Sequence, residues 1–203
     1  MKKLNEFIFQ KRLKKQMQRN LRKKRFVDYD HAKTVLLFFE SDYVEKNRFI
    51  HKAIEQLKAD GKKVYAWGLL ENKNTSSAIL PSFKILDKGQ IDFFGSPQKS
   101  FIKELTENEY DLLIDLTLEE KLPMKYLKMY ANASLKAGIS DSMNDVMDFI
   151  IHIPVEENQE IIQTQSTDEK ERLNISDERN FLYDQQFIFE QIIFYLKKIQ
   201  SND

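Results

Sequence analysis

Apolar residues fall into several short, almost unbroken runs that alternate with amphipathic stretches. The clearest run lies within residues 110–117, where Leu112, Leu113, Ile114 and Leu116 are separated by a single charge, Asp115. Such runs are typical of strands covered by helices on both faces, as in parallel sheets. The run follows a polar helix end (103–109) and precedes a new helical pattern (118–131), which is the repeating unit of an α/β fold. We therefore predict that 110–117 is a central parallel strand.

The same pattern predicts the other strands and the helices. Further strands are expected over residues 34–41, 62–71, 83–89, 135–140 and 148–155, and helices over 43–59, 97–107, 122–133 and 177–200. Ser96 and Pro97 provide an N-cap and an N1 residue for the second of these helices. The strand–helix–strand unit over 34–71 should have a right-handed crossover and parallel strands. The expected strand order is 3-2-1-4-5, with the sixth strand at an edge.

The predicted fold class is α/β. We expect a three-layer Rossmann-like sandwich with a mostly parallel sheet of five or six strands, a basic N-terminal helix and a long C-terminal helix. Four segments follow: a basic amphipathic helix over 1–25, the α/β core over 26–155, an acidic loop over 156–176, and a C-terminal helix over 177–203 that packs on the core. The loop has six acids against two bases, a composition typical of a mobile segment.

The C-terminal helix is apolar on two sides. Its main stripe includes Ile188, Ile192 and Leu196, and a second cluster consists of Tyr183, Phe187 and Phe194. A helix that is apolar on two sides is usually buried twice. Two interpretations remain open: the helix lies between the sheet and the N-terminal helix, or its second cluster is an interface with a partner or with another copy of the chain.

The charge of the chain is divided unequally. The 203 residues contain 32 Lys and Arg and 32 Asp and Glu, so the net charge is zero. Residues 1–25, however, hold 11 of the bases and one acid, Glu6, which gives this arm +10 and the rest of the chain −10. This asymmetry suggests that the arm contacts an anionic partner or the acidic body itself.

The arm has the pattern of a basic amphipathic helix. Phe9, Leu13, Met17 and Leu21 recur every four residues on one stripe. Most of the remaining surface is basic, with Lys11, Arg12, Lys14, Lys15, Arg19, Arg22, Lys23 and Lys24. Three interpretations compete without excluding one another: the stripe docks on the body, the bases bind the phosphates of RNA or a ribosome, or the helix lies on an anionic membrane. We rank the membrane below RNA because the stripe lacks Trp and the bases spread widely.

Polar residues at the predicted carboxyl ends of two strands form a second candidate site. Glu40, Ser41 and Asp42 follow the first strand, and Asp115 and Thr117 end the central one. In open α/β sheets the ligand crevice lies outside these strand ends. Asp115 has two interpretations, since it either caps or bonds nearby backbone amides or contributes to a small-molecule site.

The sequence contains no motif that predicts a cofactor, a metal or a catalytic residue. GxGxxG, the Walker A pattern and GxSxG are absent, and the five glycines are scattered. The three histidines have no ligand spacing, and the chain has no cysteine. It also lacks a long apolar run and the apolar core of a secretory signal. These features favour a cytoplasmic protein.

The segment EYDLLIDLTLEEKLPMKYLKMYANASLKAGI (109–139) resembles uncharacterised α/β proteins of Bacteroidota. The shared features are the basic N-terminal helix, the DLLIDL strand, the LP-x-KY helix and the K-x-G strand, and they cover residues 1–155. This family carries no established activity, so the resemblance implies no site residues. The segment is also similar, more faintly, to the N-terminal Rossmann-like half of heptosyltransferase-type glycosyltransferases, whose donor-binding domain has no counterpart here. That likeness implies a fold and not a function.

The functional hypothesis is a non-enzymatic binding or adaptor protein whose basic helix contacts RNA or a ribosome. One alternative is a small-molecule-binding protein or degenerate glycosyltransferase-like enzyme that uses the crevice. Another is a structural protein that forms oligomers.

Overall fold

The computed structural model describes residues 2–19, 22–41, 44–70, 83–139, 143, 145–152 and 185–199. The helices are α1 (Lys2–Arg19), α2 (Val44–Ala59), α3 (Lys99–Glu107), α4 (Leu122–Tyr130) and α5 (Gln185–Lys198). The strands are β1 (Thr34–Glu40), β2 (Lys63–Leu69), β3 (Phe83–Leu86), β4 (Tyr110–Asp115), β5 (Ala133–Gly138) and β6 (Phe149–Ile150).

The six strands form one parallel sheet in the order β3-β2-β1-β4-β5-β6. The predicted order, with the sixth strand at an edge, is confirmed. Strand β4 lies between β1 and β5, so the predicted central position of residues 110–117 is also confirmed. Its register pairs Leu112 with Val35 on one side and with Leu135 on the other.

Helices cover both faces of the sheet, which gives the three predicted layers. On β1, Val35, Leu37 and Phe39 belong to a core shared with α2 and α5. Leu36 and Phe38 belong to a second core shared with α1, α3 and α4. Because successive strand residues point to opposite faces, the apolar run of β1 fills both cores. The architecture is α/β and consistent with a Rossmann-like fold.

The expectation that the C-terminal helix lies between the sheet and the N-terminal helix is wrong. Helix α5 packs beside α2, where the rings of Phe49 and Phe189 are 5.9 Å apart. Helix α1 lies on the opposite face, against α4. Each of the two helices therefore packs on a different face of the sheet and against a different helix.

Several boundaries differ from the sequence-based expectations. The basic helix predicted over 1–25 ends at Arg19, and residues 22–25 are not helical. Strand β3 ends at Leu86, short of the predicted residue 89. Helix α3 begins at Lys99 with Gln98 as its N-cap, because Pro97 pairs with Ile91 in an antiparallel bridge and buries Ser96 in the preceding turn. Strand β6 ends at Ile150, so the described part of its predicted range is mostly not strand. The acidic stretch 156–176 lies outside the described residues, as does residue range 177–184 of the predicted last helix.

Candidate functional site

Helix α1 docks on α4 through two residues of its predicted stripe, Phe9 and Leu13, which are both buried. The ring of Phe9 meets the ring of Tyr126 edge-on, with centroids 4.9 Å apart. A buried aromatic pair of this geometry contributes about 0.5–1.5 kcal/mol beyond its area. The guanidinium of Arg12 lies 5.5 Å from the centroid of Tyr126. Docking therefore uses the stripe and one base of the helix.

Most of the predicted basic residues remain on the surface. Those exposed to solvent are Lys11, Lys14, Lys15, Arg19, Lys23 and Lys24. Within the described part of the chain, only Lys24 among these six forms an ion pair. Arg12 is half-buried against Tyr126, so it contributes to docking. Four of them, Lys11, Lys14, Lys15 and Arg19, lie on α1, so the helix keeps solvated cations after it has docked. Lys23 and Lys24 follow the end of the helix.

Arg22 is not part of this free set, because it binds the body. Its two terminal nitrogens lie 2.5 and 2.7 Å from the carboxylate oxygens of Asp148, and it also donates to the carbonyl of Ala133. Lys24 reaches the same carboxylate at 3.3 Å. Burial raises the pKa of Asp148. The pKa is lowered by hydrogen bonds from Arg22 and from the Lys136 backbone amide, and by the charges of Arg22 and Lys24. These contacts have the larger effect, so the pKa of Asp148 lies below its usual range.

The outer face of α1 combines apolar and basic side chains. A helix turns by about 100° per residue, so Leu4, Phe7, Lys11 and Lys14 point away from Phe9 and Leu13. Phe7 is 67% exposed and Leu4 is 52% exposed. Residues three and four apart lie side by side on a helix, which places the Phe7 ring next to Lys11 and Lys3. This solvent-facing surface is the largest feature of α1 that the fold itself does not use.

The crevice candidates are brought together at the adjacent ends of β1 and β4, but their side chains are used internally. Glu40, Ser41, Asp115 and Thr117 are all buried. Glu40 accepts the backbone amide of Glu119 at 3.0 Å. Asp115 accepts both the amide of Thr117, at 3.2 Å, and its hydroxyl, at 2.7 Å. Asp42 lies outside the described residues. The arrangement matches the interpretation in which Asp115 bonds a nearby backbone amide.

A buried cation completes the surroundings of Asp115. Lys128 on α4 places Nζ 2.8 Å from Oδ2 of Asp115, and neither side chain is exposed. The two atoms are close enough for an ion pair but are not aligned as a hydrogen bond. This pair joins β4 to α4 on the face that carries α1.

Sequence reasoning missed two lysines that are buried on the α1 side of the sheet, Lys128 and Lys136. Both lie within apolar stretches, YLKMY and SLKAG. A lysine inside a strand that is covered on both faces has no route to solvent unless a cleft reaches it. A lysine within a segment that is predicted to be buried is the signal that could have identified both residues.

The predicted partner-interface residues are only partly described. Phe194 on α5 is 54% exposed, and its ring meets the ring of Tyr195 at 5.3 Å. Phe187 is half-buried and makes interactions within the chain. Tyr183 lies outside the described residues.

The described residues contain no group of three or more His, Cys, Asp or Glu side chains arranged to hold a metal ion. None of the described helices has the length and apolar composition needed to span a membrane.

Comparison with known proteins gives one match. The family of unknown function DUF6913 matches residues 3–167, which include α1 and all six strands. No curated protein and no solved structure matches the chain. The match extends over well more than half of the sequence, and the chain therefore belongs to the DUF6913 family of unknown function.

Proposed function

We propose that this protein is a non-enzymatic binding or adaptor protein whose basic helix α1 contacts RNA, alone or within a ribosome. The observation that carries the proposal is the set of exposed cations on α1 that stays unpaired within the described structure after the helix docks: Lys11, Lys14, Lys15 and Arg19. Solvated lysines and arginines on one element bind phosphates by releasing condensed counterions. An RNA partner agrees with the cytoplasmic location that we expect.

The exposed Phe7 supports RNA over a purely electrostatic contact. Its ring lies beside Lys3 and Lys11, where a phosphate contact would bring a neighbouring base within reach. Unpaired bases stack on aromatic side chains, and such a stack contributes about 1–3 kcal/mol. Leu4 and Phe7 could equally enter an anionic bilayer, so vesicles belong in the test.

The test compares charge reversal on α1 with charge reversal elsewhere. Three exposed bases lie at intervals of four residues on α1: Lys11, Lys15 and Arg19. Replacing all three with Glu removes their proposed contacts with phosphates and leaves Phe9 and Leu13 unchanged. The matched control replaces Arg48, Lys52 and Lys58, which are exposed on α2 across the sheet. Binding is measured with single-stranded RNA, duplex RNA, ribosomes and anionic vesicles over a series of salt concentrations.

We expect the wild-type protein and the α2 variant to bind RNA with affinity that falls steeply with salt. The α1 variant should bind weakly, and the magnitude of its slope against log salt should fall by about 2 for three lost contacts with a single strand. An equal loss of RNA affinity in the α1 and α2 variants would mean that only the overall charge of the protein matters. Binding to vesicles and not to RNA would mean that the partner of α1 is a membrane. Absence of any binding would overturn the proposal.

A second candidate is association between copies of the chain through α5. Phe194, Tyr195 and Ile199 are 54%, 43% and 40% exposed on one end of this helix. Sedimentation velocity over a wide range of concentration tests it, with Phe194→Ser expected to shift the protein towards monomer. We do not extend the proposal to the crevice, because Asp115 and Thr117 are buried and bonded to each other.

A further inference from the structure

The two buried lysines on this face of the sheet are compensated differently. The ammonium of Lys128 faces the carboxylate of Asp115. The ammonium of Lys136 donates instead to a neutral acceptor, the backbone carbonyl of Lys128, at 2.6 Å. An ammonium group has three donors, and burying it without a counter-ion is costly. Within the described residues, no carboxylate forms an ion pair with the Lys136 ammonium, in contrast to Lys128.

Lys136 also lines a cleft that its neighbour does not reach. The cleft has a volume of about 90 Å³ and lies between α1, the segment at residues 22–24, β5 and residues 145–146. Its cationic lining comes from Arg22, Lys24 and Lys136, and its apolar walls include Leu13, Met17 and Met129. A more open depression of about 590 Å³ shares Leu13 and Met17 with it and leads outwards past Lys14.

Among the described acids, neither Asp148 nor Asp145 forms an ion pair with the Lys136 ammonium. Asp148 accepts the backbone amide of Lys136 at 3.0 Å, while its carboxylate oxygens bind Arg22 and Lys24. Asp145 also lines the cleft, but its side chain is exposed, so solvent screens its charge. Burial drives the pKa of Lys136 well below its usual range, Arg22 and Lys24 lower it further, and Asp148 only partly opposes them. A bound anion would stabilise the protonated amine and so raise the pKa of Lys136.

We propose that this cleft binds a small oxyanion, the phosphate or carboxylate group of a small molecule, with the Lys136 ammonium as its buried anchor. Lys24, whose side chain is 56% exposed, sits at the rim and can turn from Asp148 to the ligand. The apolar walls accommodate a short carbon chain, and the outer depression has room for the remainder of the molecule. Lys136 is 2% exposed, whereas the cations proposed to bind RNA are exposed on α1, so the two sites use different residues.

The first probe is sulfate, whose charge stays constant between pH 6 and 9. Binding to the full-length protein is followed by NMR titration or calorimetry, with chloride used to hold the ionic strength constant. We expect saturable binding that weakens as pH rises, because the Lys136 amine loses its proton. Lys136→Met should weaken binding at least about tenfold, as expected for loss of a charge-assisted contact, and Lys24→Gln should weaken it several-fold. Lys58→Met, an exposed lysine on α2, is the matched control and should bind as the wild type does.

Phosphate, acetate and butyrate then distinguish the two ligand classes. Tighter binding of phosphate than of acetate assigns a phosphate group, and tightening from acetate to butyrate assigns a carboxylate with a carbon chain. The proposal is overturned if none of these anions binds saturably, or if Lys136→Met binds them as the wild type does. If Lys136→Met does not fold, the Lys24→Gln variant and the pH dependence of wild-type binding still test whether the cleft binds an oxyanion. Either result is compatible with RNA binding by α1.

Discussion

The carboxylate of Asp115 and the ammonium of Lys128 lie 2.8 Å apart at a point where neither side chain is exposed to solvent. One residue ends the central strand β4, and the other lies in α4, so the pair fixes this helix over the sheet. Helix α4 in turn carries Tyr126, on which α1 docks. The pair therefore supports the surface that presents the basic helix.

Breaking this pair from one side should destabilise the protein strongly. Lys128→Met leaves Asp115 as an uncompensated buried charge, and such changes cost about 3–5 kcal/mol. The double variant Asp115→Asn with Lys128→Met removes both charges and keeps an oxygen that accepts from Thr117. We expect it to recover most of the lost free energy of unfolding. Urea denaturation at pH 7 measures both variants, and a double variant less stable than Lys128→Met would contradict this account of the pair.

Two phenylalanines of α1, two residues apart, should respond in opposite ways. Phe9 is fully buried against Tyr126, whereas Phe7 is mostly exposed. Phe9→Ala should cost about 3–5 kcal/mol if docking is part of the cooperative fold, and Phe7→Ala should change stability by less than about 0.5 kcal/mol. Thermal and urea unfolding of the two variants give the comparison. A small effect of Phe9→Ala would mean that α1 detaches without unfolding the core, and hydrogen exchange confined to α1 would show it.

The sheet could be predicted from sequence because its signals are local. The apolar runs around Leu36 and Leu113 are long enough to fill both cores, and short polar turns separate them from helices. Parallel order then follows from the handedness of the crossovers. The end of a strand is less well determined, as at β6, since its pairing with β5 depends on a neighbour and not on its own residues.

The site was less predictable because burial of charge depends on tertiary contacts. Five of the eight predicted bases lie on α1 as expected, whereas Arg22, Lys23 and Lys24 follow the end of the helix. Nothing local to Arg22 indicates that Asp148, far along the chain, would bind it. Likewise, Asp115 and Lys128 become partners only when α4 lies across β4. The cleft at Lys136 needs α1, β5 and residues 145–146 at once, so no single segment could indicate it.

Asp148 should make stability depend on acid pH. The folded state holds its pKa below the value of an unfolded aspartate, about 3.9. Its contribution to the free energy of unfolding is therefore complete above the unfolded pKa and is lost as the pH falls through the folded pKa. Urea midpoints at pH 5 and pH 3 should differ less in Asp148→Asn than in the wild type. Arg22→Gln should show a similarly reduced difference, because Arg22 supplies most of the opposing charge. An unchanged acid dependence in both variants would rule out this pair as its source.

Lys136 should make stability rise with pH on the alkaline side. Its folded pKa lies well below that of an unfolded lysine, about 10.4. Between those two values the unfolded state binds more protons than the folded state, so the free energy of unfolding increases with pH. We expect the urea midpoint of the wild type to rise between pH 7 and about pH 9.5, and that of Lys136→Met to rise less. Lys62, whose pKa burial also lowers, contributes equally to both proteins. The pH range stops below pH 10 because burial raises the pKa of Tyr110 to about 12 and also raises the pKa of Tyr29. These shifts make stability fall at higher pH.

Saturating sulfate should flatten the slope of the wild-type urea midpoint against pH, since a bound anion keeps Lys136 protonated in the folded state. Identical slopes in the two proteins would show that the Lys136 amine keeps its ordinary pKa, and the case for an anchoring cation in the cleft would lose its electrostatic basis.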